Sequence, residues 1–139
     1  MSLRKDIELF GEVVEARGNA LARKVALTAL QGVTFRSPVD TGHFRRNWRV
    51  SQGKAELVVR GKRGDGATEG PGETISRGAD RLRSAGWNDS IHVSNHVEYG
   101  PYLEAGSSPQ APPNGILGVT IDEVRAKFTG LVKEVRGGR

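Results

Sequence analysis

The sequence contains no cysteine, and that absence closes a whole group of chemistries: no disulfide framework, thiolate nucleophile, zinc ribbon or iron–sulfur cluster can be built from it. Long apolar runs are missing too. None approaches the ~18 residues needed to span a bilayer, and the start Met1-Ser2-Leu3-Arg4-Lys5-Asp6 lacks the apolar stretch of a secretory signal. A soluble protein with no membrane partner is the expectation. Histidine is scarce, at three residues. Two of them, His92 and His96, fall on one expected strand, where ~3.3 Å per residue sets them about 13 Å apart, too far to share an ion. Only His43 remains as a third, so no metal site is expected. A P-loop is lacking as well, because the glycines of residues 61–73 have neither the Gly-Lys-Ser/Thr ending nor the strand-to-helix setting of a phosphate cradle. The loop glycines read as flexibility.

What is present fits one domain over 1–139. The 36% hydrophobic and 27% charged residues are ordinary globular values, and a chain of this size can bury roughly two-thirds of its unfolded surface without a disulfide or metal. The net charge of +5 is unevenly placed. Residues 37–63 hold seven Lys/Arg against two acids, whereas residues 64–98 hold three against six. Arg45, Arg46, Arg49, Lys62 and Arg63 stand out in the basic stretch. Such a stretch is the electrostatic footprint of polyanion contact, or else a solvated face.

Spacings of three and four among Leu3, Ile7, Phe10, Val14, Gly18, Leu21, Val25 and Thr28 predict a helical segment over 3–35. Unbroken, it would extend on the order of 45 Å, more than a domain of this size needs, so part of its stripe would meet a neighbouring subunit. A glycine costs about 1 kcal/mol in a helix, which favours two shorter helices broken near Gly18-Asn19. Ser37-Pro38 ends the segment. Alternation in Trp48 and Val50, then in Ala55, Leu57 and Val59, predicts two antiparallel strands joined at Gly53. A mobile glycine-rich loop is expected over 61–73, a short helix over Ile75–Leu82, and a half-buried strand from Ile91 to Tyr99 with Asn95 at an inward position. A turn near Gly100-Pro101 leads to an extended arm over 106–115. Thr120-Ile121-Asp122-Glu123 fits a capping box, predicting a C-terminal helix over 120–135. The expected fold is α+β, with an N-terminal helix or helix pair and a C-terminal helix packed on an antiparallel sheet.

Asp40-Thr41-Gly42 matches the aspartic-protease signature, and Ile116-Leu117-Gly118 mimics its downstream apolar-apolar-glycine element. That chemistry requires two carboxylates sharing a proton within a small all-β frame. Here a long helical segment precedes the triplet and Ser37-Pro38 stands where a strand is required. The simpler reading is structural: Asp40 or Thr41 caps the next turn and Gly42 takes a backbone shape other residues resist.

Two longer segments carry more weight than any triplet. Ser37-Pro38-Val39-Asp40-Thr41-Gly42-His43-Phe44-Arg45-Arg46-Asn47-Trp48 has a Pro-Val-Asp-Thr-Gly turn leading into basic residues and a tryptophan. Later come Asn95, Tyr99, Tyr102, the string Leu103-Glu104-Ala105-Gly106, and Gln110-Ala111-Pro112 before the terminal helix. In this order, over residues 33–128, the chain resembles the bacteriophage neck and tail-completion family, including the minor tail protein Z type. It departs from that pattern in Pro112-Pro113-Asn114-Gly115, where the family spacing is tighter, and in its glycine-rich loop.

The resemblance implies a structural virion protein of a long-tailed phage, without a cofactor and not an enzyme, made in the bacterial cytoplasm and residing in the tail or neck. It implies a homo-oligomeric ring, hexameric by tail symmetry, that completes the tail and supports head–tail joining beside a head connector and a tail terminator or tube. It marks Pro38, Asp40, Thr41, Gly42, Trp48, Asn95, Tyr99, Tyr102, Leu103, Glu104, Gly106, Gln110 and Pro112 as turn or subunit-contact residues. The basic set Arg45, Arg46, Arg49, Lys62 and Arg63 becomes the candidate surface for sequence-independent contact with phage DNA. The alternative of a different class is a small basic nucleic-acid-binding protein, which only the charge supports, since no recognition-helix or stacked-aromatic signature is present.

Overall fold

Ser2 starts the first helix by accepting the Lys5 amide on its hydroxyl at 3.2 Å, a favoured N-cap arrangement. In this computed structural model, which describes residues 2–39, 41–62, 69–106 and 115–137, helix α1 then runs unbroken from Leu3 to Arg36. The expected break at Gly18-Asn19 does not occur. The indole of Trp87 lies where a Cβ on Gly18 would stand 2.9 Å from its Cδ2 atom, so the glycine serves as a flat seat for a ring from elsewhere in the chain. Asn19 completes the joint, its side chain accepting the Trp87 amide at 3.1 Å. Replacing Gly18 with Ala is expected to gain about 1 kcal/mol of helix propensity but to dislodge the ring. Unfolding free energy should therefore change little while Trp87 fluorescence shifts to the red; an unshifted spectrum would show that the indole sits elsewhere.

Ser37 and Pro38 end α1 as the sequence predicts. A 3-10 turn over Arg45–Asn47 leads into strand β1, Arg49–Gln52. The partner of β1 is not the following segment. It pairs antiparallel with β2, Ile91–Ser94, in the register Arg49 to Ser94 and Gln52 to Ile91. Residues 55–60 carry strand-like alternation yet form no strand; Ser51 Oγ donates to the Lys54 carbonyl at 2.7 Å just before them, and at their end the Asn47 side chain brackets the Arg60 backbone. Strand β2 is also shorter than expected, ending at Ser94 and not at Tyr99.

Helix α2 covers Pro71–Leu82, so Pro71, Gly72 and Glu73 belong to it and not to the glycine-rich loop. Proline in the first turn explains the earlier start, since its missing N–H is one the helix cannot use there. Residues 63–68 of that loop lie outside the described residues, as do residues 107–114 of the expected 106–115 arm. A short helix α3 spans Gly100–Glu104 and α4 spans Leu117–Arg136. The start of α4 corrects the capping-box reading at Thr120. That residue is fully buried inside the helix, donates to the Ile116 carbonyl at 2.7 Å and accepts from Arg36 at 3.1 Å, while Glu123 turns to Arg36.

The architecture is α+β: long N- and C-terminal helices with a small two-stranded antiparallel sheet. The second half of α1 is its axis, packing on α4, α2 and β2. Ala26, Leu30 and Val33 on that half join Val50, Leu82, Ala85, Val97, Leu103 and Ile116 in one apolar core. Burying such side chains contributes about 1.5–3 kcal/mol each, which makes the inner half of α1 the most strongly held element.

Candidate assembly surface

The signature turn is built around Ser37. Its hydroxyl donates to the Val33 carbonyl at 2.6 Å and accepts the Trp48 indole N–H at 2.7 Å, so Trp48 is bolted to the end of α1. Trp48 packs edge-on against Phe44 with centroids 5.7 Å apart and is 6% exposed. It is a core residue and not a surface contact. Gly42 adopts φ +82°, a left-handed conformation that favours glycine, and Thr41 accepts the His43 amide at 3.4 Å. Asp40, Arg63, Gln110 and Pro112 lie outside the described residues.

The later signature residues tie the same region together. Asn95 follows β2, donates to the Phe44 carbonyl at 2.8 Å and accepts from the Val97 amide at 3.1 Å. Tyr99 leans on both His43 and Phe44. Leu103 is buried, whereas Tyr102 beside it is 58% exposed. Glu104 has the most specific role: its carboxylate accepts the backbone N–H groups of Leu117 at 2.7 Å, Ile116 at 3.0 Å and Gly118 at 3.1 Å. These are the otherwise unsatisfied donors at the start of α4, where the helix dipole also favours a negative charge. The Leu-Glu-x-Gly string thus supplies the cap of a helix that begins later in the sequence.

The basic stretch does not form one outward face. Arg49 is 7% exposed and pairs with Glu56 at 3.2 Å, which removes it from the candidate DNA-facing set. Burial pushes its pKa below the usual value, with Glu56 opposing and Arg60, Arg77 and Arg81 adding to the depression. Glu56, which the sequence reading passed over, also holds Arg81 at 2.8 Å. Arg45 is half-buried and donates to the Glu69 carbonyl at 3.3 Å. Arg46 is half-buried too, reaching the Lys62 carbonyl at 3.5 Å. Lys62 itself is exposed.

A second missed interaction joins the two long helices. Arg36 donates to Glu123 at 2.9 Å, and Lys127 reaches the same carboxylate at 3.1 Å. Those hydrogen bonds hold the Glu123 pKa at about 2, well below 4.5. A carboxyl depressed on folding stabilises the protein above its unfolded pKa, and that contribution is lost as pH falls through the folded value. Between about pH 4.5 and pH 2, the thermal midpoint should fall less steeply in Glu123→Gln than in the parent; parallel curves would show that the carboxylate is not held this way.

Among the described residues no group of three His, Cys, Asp or Glu side chains is placed to hold a metal. His92 contacts the Gly53 carbonyl at 3.3 Å, and His96 is exposed beyond the end of β2. No family model, curated protein or solved structure matches the chain. No helix among the described residues is long and apolar enough to cross a membrane.

Two apolar surfaces stand out among the described residues. Residues 2–17, the first half of α1, are all exposed, including Leu3, Ile7, Leu9, Phe10, Val13 and Val14. Further along the same helix, Leu21, Ala22 and Val25 line an open groove of about 500 Å³ whose opposite walls are Trp87, Ile91, Val93 and Phe128.

Proposed function

We propose that this chain is a structural subunit of the head–tail junction of a long-tailed bacteriophage, assembling as a ring that completes the tail and supports its joining to the head. The observation that carries the reading is the free half of α1. Six large apolar side chains on an exposed helical half that no other described residue covers are more than a monomer leaves in water without cause, and such patches mark protein contacts. The family-like strings are consistent with this division: Trp48, Asn95 and Glu104 hold a scaffold together while Tyr102 stays on its surface. In this reading the protein is a virion component with no catalytic role, its neighbours being the head connector and the tail terminator or tube. Any contact with passing DNA is sequence-independent and falls to Lys62 and Arg63, with Arg45 and Arg46 contributing the exposed parts of their side chains.

Deleting the gene from the phage that encodes it tests the proposal. Filled heads and separate tails that fail to join are expected, and mass spectrometry of intact particles should find the protein in the neck or tail. Infectious, fully joined particles without it would overturn the reading.

A further inference from the structure

We propose that the free half of α1 docks into the Trp87–Phe128 groove of a second copy of this chain, head to tail, so that each subunit gives one half-helix and receives one. The inference rests on the ring reading above and adds the surfaces that would close the ring.

The groove and the half-helix match in character. Residues 3–17 would extend about 22 Å at 1.5 Å per residue, and Phe10 lies near the middle with Ile7 and Val14 one turn to either side on the same face. The groove is apolar, with Trp87 and Phe128 as its two lips at 52% and 46% exposed. A helix laying its i, i+3 and i+7 side chains into such a channel is a recurring mode of protein recognition. The half-helix cannot reach its own groove, because α1 is continuous and its second half forms one of the groove walls. A second copy can supply it.

Charge identifies the second copy as the occupant. Residues 6–15 contain Asp6, Glu8, Glu12 and Glu15 and no base, so the net charge of +5 leaves +9 on the rest of the chain. Glu8 is paired with Arg4, while Asp6, Glu12 and Glu15 make no ion pair among the described residues. At the groove, Arg17 stands one turn before Leu21 and Arg125 one turn before Phe128; neither has an acidic partner among the described residues, and Asp89 is the one acid in the lining. An acidic apolar half-helix on an otherwise basic molecule is complementary to the molecule itself. The contact is heterologous, joining two different surfaces, and a heterologous contact generates a ring when its rotation closes.

The experiment uses the full chain and light scattering coupled to gel filtration. The parent should form an oligomer larger than a dimer. Phe10→Asp spoils only the half-helix and Phe128→Glu spoils only the groove; both residues are exposed, so both variants should stay folded by circular dichroism and run as monomers, with self-association weakened roughly a hundredfold by the lost apolar contact and the buried charge. Mixed in equal amounts, the two variants should form a dimer and stop, because one intact half-helix meets one intact groove. Ala22→Trp, which fills the groove from its floor, should reproduce Phe128→Glu. A monomeric parent, oligomers unaffected by these changes, or a mixture that stays monomeric would each overturn the docking. These outcomes are separable from the function itself: a protein found in the neck of virions but monomeric alone keeps the function and loses the docking, whereas complementation by a protein absent from virions does the reverse.

Discussion

Replacing Glu104 with Ala is expected to destabilise the protein by about 2 kcal/mol, lowering the thermal midpoint by roughly 5–10 °C. The carboxylate accepts three main-chain N–H groups at the start of α4, and the residue before the helix, Ile116, provides no side-chain cap of its own. Leu117 and Gly118 are exposed enough for water to replace part of the loss, which is why the cost stays below the sum of three charge-assisted hydrogen bonds. The Ile116 side chain is fully buried, so fraying the helix start also loosens the core. Glu104→Gln keeps one acceptor oxygen but loses the charge that the helix dipole favours, and should fall about midway between the parent and the alanine variant. Thermal unfolding followed by circular dichroism checks the order. Equal midpoints for all three proteins would mean that α4 is capped by some other group.

The same residue shows where reading the sequence succeeds and where it fails. A helix ending the chain was legible from Val124, Phe128, Leu131 and Val135, because periodicity is a local property. Its start was not, since Thr120-Ile121-Asp122-Glu123 satisfies a local capping pattern while the acting cap, Glu104, stands well before the helix in the sequence. Helix α1 repeats the lesson. Its period was plain, but Gly18 reads as a break until Trp87 is known to sit on it. Strand pairing failed for a related reason. Alternation marks which residues favour an extended backbone and says nothing of their partner, so Ala55, Leu57 and Val59 looked as fit to pair with β1 as Ile91 and Val93 did. The basic stretch was legible as charge and illegible as a surface, because Glu56 draws Arg49 inward and holds Arg81 beside it. The exposed half of α1 was the most informative expectation: its stripe was longer than one domain needs, and it is the inner half, from Ala26 to Val33, that the core takes up.

Replacing Trp48 with Ala should cost about 3–5 kcal/mol, a large share of the 5–15 kcal/mol that holds a domain of this kind together. The indole is 6% exposed, packs edge-on against Phe44 and donates to Ser37, which in turn is anchored on the last turn of α1. Truncation leaves a cavity and an unsatisfied hydroxyl acceptor at the joint between α1 and the sheet. Trp48→Phe retains most of the apolar contact and loses the indole donor, so a cost of about 1–2 kcal/mol is expected from the missing hydrogen bond and the smaller ring. Tyr102→Ala is the control. That side chain is 58% exposed on α3, and its removal should change stability by less than about 0.5 kcal/mol. Urea unfolding of the three variants separates the roles, because a residue needed only for subunit contact leaves the isolated fold unharmed while a residue that builds the scaffold does not. A Trp48→Ala protein as stable as its parent would move the tryptophan from the core to the assembly surface, and a Tyr102→Ala protein that unfolds would move the tyrosine the other way.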